Sequence, residues 1–162
     1  MKQHKTGLTI MRAQPFHIGH KSIIRQMLDQ CDVAVVLLGS AQESRTAKNP
    51  FTVAERKQMI ENVFGRNVLI SGITDLGNIK LWAGYVLANV WKNFGLVPDA
   101  YYSGLEQDRF CFAAAGLKLV DINRQTIPVS ATQIRANPNA NIQFVNPINR
   151  TMVLNFFNEK CY

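Results

Sequence analysis

The unbroken aliphatic stretch Val33-Ala34-Val35-Val36-Leu37-Leu38 restricts the fold more than any other feature. It is far too short to span a membrane, which takes about 20 residues. It also lacks the polar alternation of a strand with one wet face. A continuous run of this kind suits a strand covered on both sides, and in a parallel sheet helices do the covering. The flanking sequence supplies them. Gly7-Leu8-Thr9-Ile10-Met11 reads as an earlier strand, and from about residue 19 to 30 a helical period places Ile23, Ile24, Met27 and Leu28 on one face. The three segments make one βαβ unit.

Strand and helix keep alternating to the end of the chain. Thr52-x-x-Glu55 is a capping box opening a helix whose apolar stripe is Val53, Met59, Ile60 and Phe64, with Gly65 where a C-terminal cap belongs. Val68-Leu69-Ile70 follows as a third strand. A long helix is predicted over 79–94, closed by Gly95 and Pro98, with Trp91 in its core. Ala100-Tyr101-Tyr102-Ser103 and Leu117-Lys118-Leu119-Val120 are the fourth and fifth strands, Ser130 to Arg135 starts a helix, and a last helix runs from Pro147 to about Lys160. There is no internal repeat and no linker, and 162 residues match one domain of about 100–200. The expectation is a single α/β domain over 1–162, a doubly wound, Rossmann-like, five-stranded parallel sheet, with a helical extension from about residue 138. Ligands of such a sheet bind at the carboxyl ends of its strands.

Composition narrows the function classes. At 47% apolar and 18% charged residues the chain can build a core without metal or disulfide staples. Cys31, Cys111 and Cys161 lie far apart in no CxxC pair, so they read as reduced thiols. The N-terminus does not read as a signal peptide, and a cytoplasmic location with no membrane partner follows as an expectation. Eighteen Lys and Arg against eleven Asp and Glu leave +7, scattered through the chain, which favours small anionic substrates such as nucleotides at least as well as nucleic acid. A nucleic-acid module is disfavoured by the lack of a basic helix, an aromatic RNP-like strand or zinc-finger spacing.

Three segments carry candidate chemistry. Arg12-Ala13-Gln14-Pro15-Phe16-His17-Ile18-Gly19-His20 joins the first strand to the first helix, so two of the three histidines stand at the positive end of a helix. Gly19 between them would let an anion approach the backbone, and neutral imidazoles can donate N–H to a phosphoryl oxygen. A zinc pair completed by Cys31 or His4, or histidines packed into a core, are the competing readings. After the second strand, Gly39-Ser40-Ala41-Gln42 offers backbone N–H groups, and Arg45, Lys48 and Arg56 offer positive charge. Finally, Ser130-Ala131-Thr132-Gln133-Ile134-Arg135 brings hydroxyls and an arginine to a helix start, although an N-cap with a surface arginine would look the same.

In this order within one short domain, Arg-x-Gln-Pro-Phe-His-x-Gly-His, Gly-Ser-Ala-Gln with Asn-Pro-Phe-Thr-x-x-Glu-Arg, and Ser-x-Thr-x-Ile-Arg resemble the HIGH-motif nucleotidyltransferases. The likeness is greatest to the archaeal-type nicotinamide-nucleotide adenylyltransferases, runs from about Gly7 to Arg135 and includes Leu81-Trp82, Gly84 and Tyr102-Ser103-Gly104. The resemblance implies transfer of AMP from ATP to nicotinamide mononucleotide, giving NAD and pyrophosphate, with Mg²⁺ held mainly by phosphates and water. It implies His17, His20, Arg12 and Arg135 as catalytic residues. Gln14, Phe16, Gly19, Gly39, Ser40, Lys48, Ser130 and Thr132 would bind ATP and its phosphates, and Asp75, Asn78 and Trp82 would bind the mononucleotide, with Trp82 under the pyridine ring. Periodicity alone would put Trp82 in the helix core. No Nudix domain is expected, and the resemblance implies a closed homo-oligomer.

Met11 stands where many such enzymes have glycine, and Ala131 where a small hydroxyl residue or glycine is usual. The rival readings are a sister enzyme acting on pantetheine phosphate or glycerol phosphate, and a nucleotide-binding module without catalysis. A class I aminoacyl-tRNA synthetase shares the first motif, but the tRNA-reading body and the Lys-Met-Ser-Lys-Ser loop are missing.

Overall fold

A computed structural model describes residues 1–103, 106–122 and 129–159. Gly104, Lys160 and Cys161 lie outside the described residues. The elements run β1 (His4–Met11), α1 (Ile18–Gln30), β2 (Cys31–Leu38), α2 (Val53–Phe64), β3 (Leu69–Gly72), α3 (Ile79–Phe94), β4 (Ala100–Tyr102), α4 (Glu106–Ala114), β5 (Lys118–Val120), α5 (Ala131–Ala136), α6 (Pro138–Asn141) and α7 (Arg150–Asn158). Two 3₁₀ turns, Ile142–Phe144 and Pro147–Asn149, lead into α7. The sheet order is β3-β2-β1-β4-β5 and all four pairings are parallel. The chain winds outward from β1 to β3 and then crosses to β4 on the other side. This leaves a switch point between the carboxyl ends of β1 and β4, where an open α/β sheet binds its ligand.

The period of two along the strands sorts the side chains into two cores. Leu8, Val35, Leu37 and Tyr101 face α3 and α4 and pack with Val86, Val90 and Phe112. Met11, Val36, Leu38 and Tyr102 face the other way, against Ile24 and Met27 of α1 and Met59 and Ile60 of α2. Val36 and Leu37 are both wholly buried, one in each core, which is why the stretch from Val33 to Leu38 contains no polar position. The helical tail from Pro138 joins this second core, since Val145 and Val153 are completely buried in it. At Gly7, a Cβ would meet Cys31 Sγ at 2.6 Å, so the close approach of β1 to β2 there requires glycine.

Three sequence expectations are corrected. β1 begins at His4, three residues earlier than the apolar run suggests, because His4 pairs with Cys31 and is itself buried. Helix α4 was not foreseen: only Phe112 is buried and Phe110 is 77% exposed, so it has no apolar stripe to read. Trp91 is 61% exposed and outside the core, whereas its helix is anchored by Ala83, Val86 and Val90.

Candidate active site

Helix α1 starts in an unusual way. Its N-cap is His17, whose Nδ1 accepts the Gly19 N–H at 3.0 Å, and its N3 residue is His20, whose Nδ1 accepts the His17 N–H at 3.4 Å. Two imidazoles thus fill the positions that Ser or Thr and Glu or Gln fill in an ordinary capping box. An Nδ1 that accepts carries no proton, so each neutral ring holds its proton on Nε2 as a donor. The rings lie 3.9 Å apart between centroids, and Phe16 stacks beneath His20 at 5.9 Å and 16°.

Phe16, expected at the nucleotide site, is fully buried and supports His20 from below. Gln14 is likewise engaged within the fold. Its Nε2 donates to the Phe51 carbonyl at 2.9 Å and its Oε1 accepts the Phe51 N–H at 2.8 Å, tying the loop after β1 to the loop before α2. The Gly19 N–H, expected to meet phosphate, is occupied by the cap.

Arg56, fully buried, fastens the site from below. Its Nη1 donates to the carbonyls of Arg12 and Gly39, both at 2.8 Å, and its Nε to Thr52 at 3.3 Å. Burial first and the like charge of Arg12 second push its ionisation below the usual arginine range, partly offset by Asp75. Arg135 reaches the same place from α5: Nη1 donates to the Gln14 carbonyl at 2.7 Å and Nη2 to Thr132 Oγ1 at 3.2 Å. Burial and Arg12 again disfavour its charge. The charge of Arg12 thus bears on both Arg56 and Arg135 at the carboxyl end of β1. Such a cluster is relieved by an anion.

Between β1 and β4 lies a cavity of about 620 Å³ whose lining includes Met11, Arg12, His20, Gly39, Trp82 and Thr132. It is flanked by a pocket of about 230 Å³ lined by His17, Gly19, His20, Ser130 and Ala131. On the other side is a pocket of about 300 Å³ lined by Asp75, Asn78 and Trp82 together with Asp108. The three sequence segments converge here, with exceptions. Lys48 is exposed on the loop after β2 and is not among the residues lining these cavities. Ser40 turns its hydroxyl to Asp75 Oδ2 at 2.7 Å and its N–H to Oδ1 at 3.2 Å, so the pair braces two loops. Ser40 does this at φ 50°, a left-handed conformation that is costly for a residue with a Cβ. Burial alone would raise the Asp75 carboxyl, but the donors from Ser40 and Gln42, with Arg12, hold it below the usual range. Asn78 caps α3 by accepting the Lys80 N–H at 3.1 Å. Ser130 caps α5 and makes a capping box with Gln133.

The sequence marks Arg56 only as a source of positive charge and gives no sign of Asp108. The Glu55-Arg56 pair beside a capping box gives no hint that the arginine points inward. Asp108 stands on the helix that had no readable period.

A parallel sheet with this order, and imidazoles at a helix N-terminus facing arginines across its switch point, defines a domain of the HIGH-motif nucleotidyltransferase class. Residues 10–74 match the Cytidylyltransferase-like family. The chain is 32% identical over 138 residues to the nicotinamide-nucleotide adenylyltransferase of Thermococcus sibiricus, a match covering 80% of this chain and 70% of that protein. It belongs to the nicotinamide-nucleotide adenylyltransferase family. To the enzyme of the same name from Saccharolobus solfataricus it is 40% identical over 86 residues, 49% of this chain and 50% of that one. The match thus spans about half the length of that curated relative, and of the corresponding Thermoplasma proteins. A bifunctional NMN adenylyltransferase/ADP ribose pyrophosphatase from Francisella tularensis, solved with AMP and a manganese ion, shares the fold: the TM-score is 0.80 over 97% of this chain and 50% of that chain, at 21% identity. Among the described residues no helix is long and apolar enough to cross a membrane.

Proposed function

We propose that this domain transfers AMP from Mg-ATP to nicotinamide mononucleotide. An oxygen of the mononucleotide 5′-phosphate attacks the α-phosphorus, the bond to the β-phosphate breaks, and NAD and pyrophosphate form. The observation that carries this reading is the double-histidine cap, which turns both Nδ1 atoms to the helix N-terminus and leaves the Nε2 of each ring as its donor beside the cleft that Arg12 lines, with Arg135 bound to the Gln14 carbonyl nearby. An in-line displacement of this type needs positioning and charge stabilisation more than a nucleophile from the protein, and donors plus guanidinium groups are what the cleft contains. His17 and His20 would donate to the transferring phosphoryl oxygens, Arg12 would lie beside the triphosphate, and Arg135 with Thr132 and Ser130 would hold the departing pyrophosphate. Lys48 would be recruited to the phosphates from its exposed loop. The phosphate end is lined by arginine and imidazole, donors to phosphate oxygen and poor ligands for a hard cation, so the Mg²⁺ belongs to the substrate ATP.

The test is direct. Purified protein with Mg²⁺, ATP and nicotinamide mononucleotide should yield NAD and pyrophosphate in equal amounts. Tight ATP binding without turnover of any mononucleotide would reduce the protein to a nucleotide-binding module.

The ring platform is tested separately. Trp82 is half-buried, lies 6.0 Å from Tyr85 between ring centroids and lines both the central cavity and the pocket beside it. An indole face attracts a flat cation by roughly 0.5–2 kcal/mol. Trp82→Leu should weaken nicotinamide mononucleotide binding by about tenfold, with ATP affinity and melting temperature unchanged. Parallel loss of both affinities and of thermal stability would make Trp82 a core residue.

A further inference from the structure

The pocket around Trp82 has a charge pattern opposite to the rest of the cleft. Among the described residues that line it, the ionisable side chains are two carboxylates, Asp75 and Asp108. They differ in what they already hold. Both oxygens of Asp75 accept from Ser40, and Oδ2 also accepts from Gln42 at 3.2 Å, so that carboxylate belongs to the loop brace. Asp108, half-buried in the first turn of α4, accepts from the Tyr101 hydroxyl at 3.3 Å through Oδ2. Its neighbour Arg109 is turned elsewhere, donating to the Ser103 carbonyl at 2.9 Å and pairing with Asp121 at 2.6 Å. Asp108 also lines the central cavity, so it stands in the wall that the two spaces share, on the same side as Trp82.

Given the adenylyl-transfer reading, on which this inference rests, we propose that Asp108 is a specificity-determining residue that selects the ring substituent of the mononucleotide. Both nicotinamide and nicotinate mononucleotides carry a pyridinium cation, which a carboxylate and an indole face attract together. They differ at one group. The neutral carboxamide can donate N–H to a carboxylate, whereas a ring carboxylate brings a like charge against Asp108 in a partly desolvated wall, where such repulsion is poorly screened. Burial already pushes the Asp108 carboxyl upward, against a smaller opposing effect of the Tyr101 hydroxyl, as expected for a charge held away from water.

The experiment compares kcat/KM for the two mononucleotides at saturating Mg-ATP in the parent and in Asp108→Asn, which keeps the size and can still accept from Tyr101. The parent should prefer the nicotinamide form. The variant should lower that preference about tenfold, equivalent to about 1.4 kcal/mol, mainly through a lower KM for nicotinate mononucleotide, with the KM for ATP unchanged. Asp108→Ala, which removes the charge without replacing the amide, should move the preference in the same direction. A preference unchanged within twofold in folded variants overturns the assignment. If the parent makes no dinucleotide from either substrate, the adenylyl-transfer reading itself fails and takes this one with it. Activity in the parent with no shift in the variants defeats the role of Asp108 alone.

Discussion

Replacing His20 with alanine is expected to lower turnover by about a hundredfold or more, on the order of 3 kcal/mol, while ATP affinity changes little. A donor aimed at oxygens whose charge grows during transfer contributes to the transition state and only slightly to the ground state. His20 also closes the cap of α1, so alanine removes an acceptor from the His17 N–H, though at 3.4 Å that bond is long. Glutamine at the N3 position can accept the same N–H. His20→Gln should therefore keep the melting temperature of the parent and still turn over slowly. Recovery of turnover in the glutamine variant would show that the cap, and not the chemistry, is what His20 supplies. Single-turnover rates alongside equilibrium ATP binding separate the two.

The second large effect is on stability. Arg56→Met should destabilise the fold by about 3 kcal/mol, a fall in melting temperature of roughly 6–12 °C for a domain of this size. The methionine fills most of the space but leaves the carbonyls of Arg12 and Gly39 without the donor they now share. A gain in hydrophobic burial can cancel the loss of a buried charge when its partners are removed too, but here the partners are backbone and remain. Turnover should fall in the surviving fraction because Arg12 and Gly39 lose their common tether. A variant as stable and active as the parent would mean that the two loops hold their positions without Arg56. Arg56→Lys discriminates further, because one ammonium on a flexible stem keeps the charge but not the fork that serves Arg12, Gly39 and Thr52 at once.

How much was readable from the sequence varies with the distance over which each feature acts. His17 and His20 stand three positions apart, and Thr52 and Glu55 likewise, so one turn of helix brings each pair together wherever the helix goes. The strands were readable for a related reason, since a run such as Val33 to Leu38 needs cover on both faces in any sheet. Helix α4 was hidden because its one buried side chain leaves no period, and the carboxylate that faces the Trp82 pocket was hidden with it. Trp91 misled because periodicity reports which residues share a helix face without reporting whether a neighbour covers it.

The sequence by itself thus determined the alternating α/β plan, the starts of α1, α2 and α5, and the histidines and arginine that gather at the carboxyl end of β1, because all of these depend on spacings of a few residues and on local hydrogen bonding. Only the tertiary structure decided which polar groups line the cleft and which hold its loops together. Gln14 binds backbone 37 residues away and Arg56 backbone 44 residues away, and Ser40 meets a carboxylate 35 residues on. A buried polar group must find a partner, and which partner it finds depends on how the strands are ordered in the sheet, a choice no local pattern records.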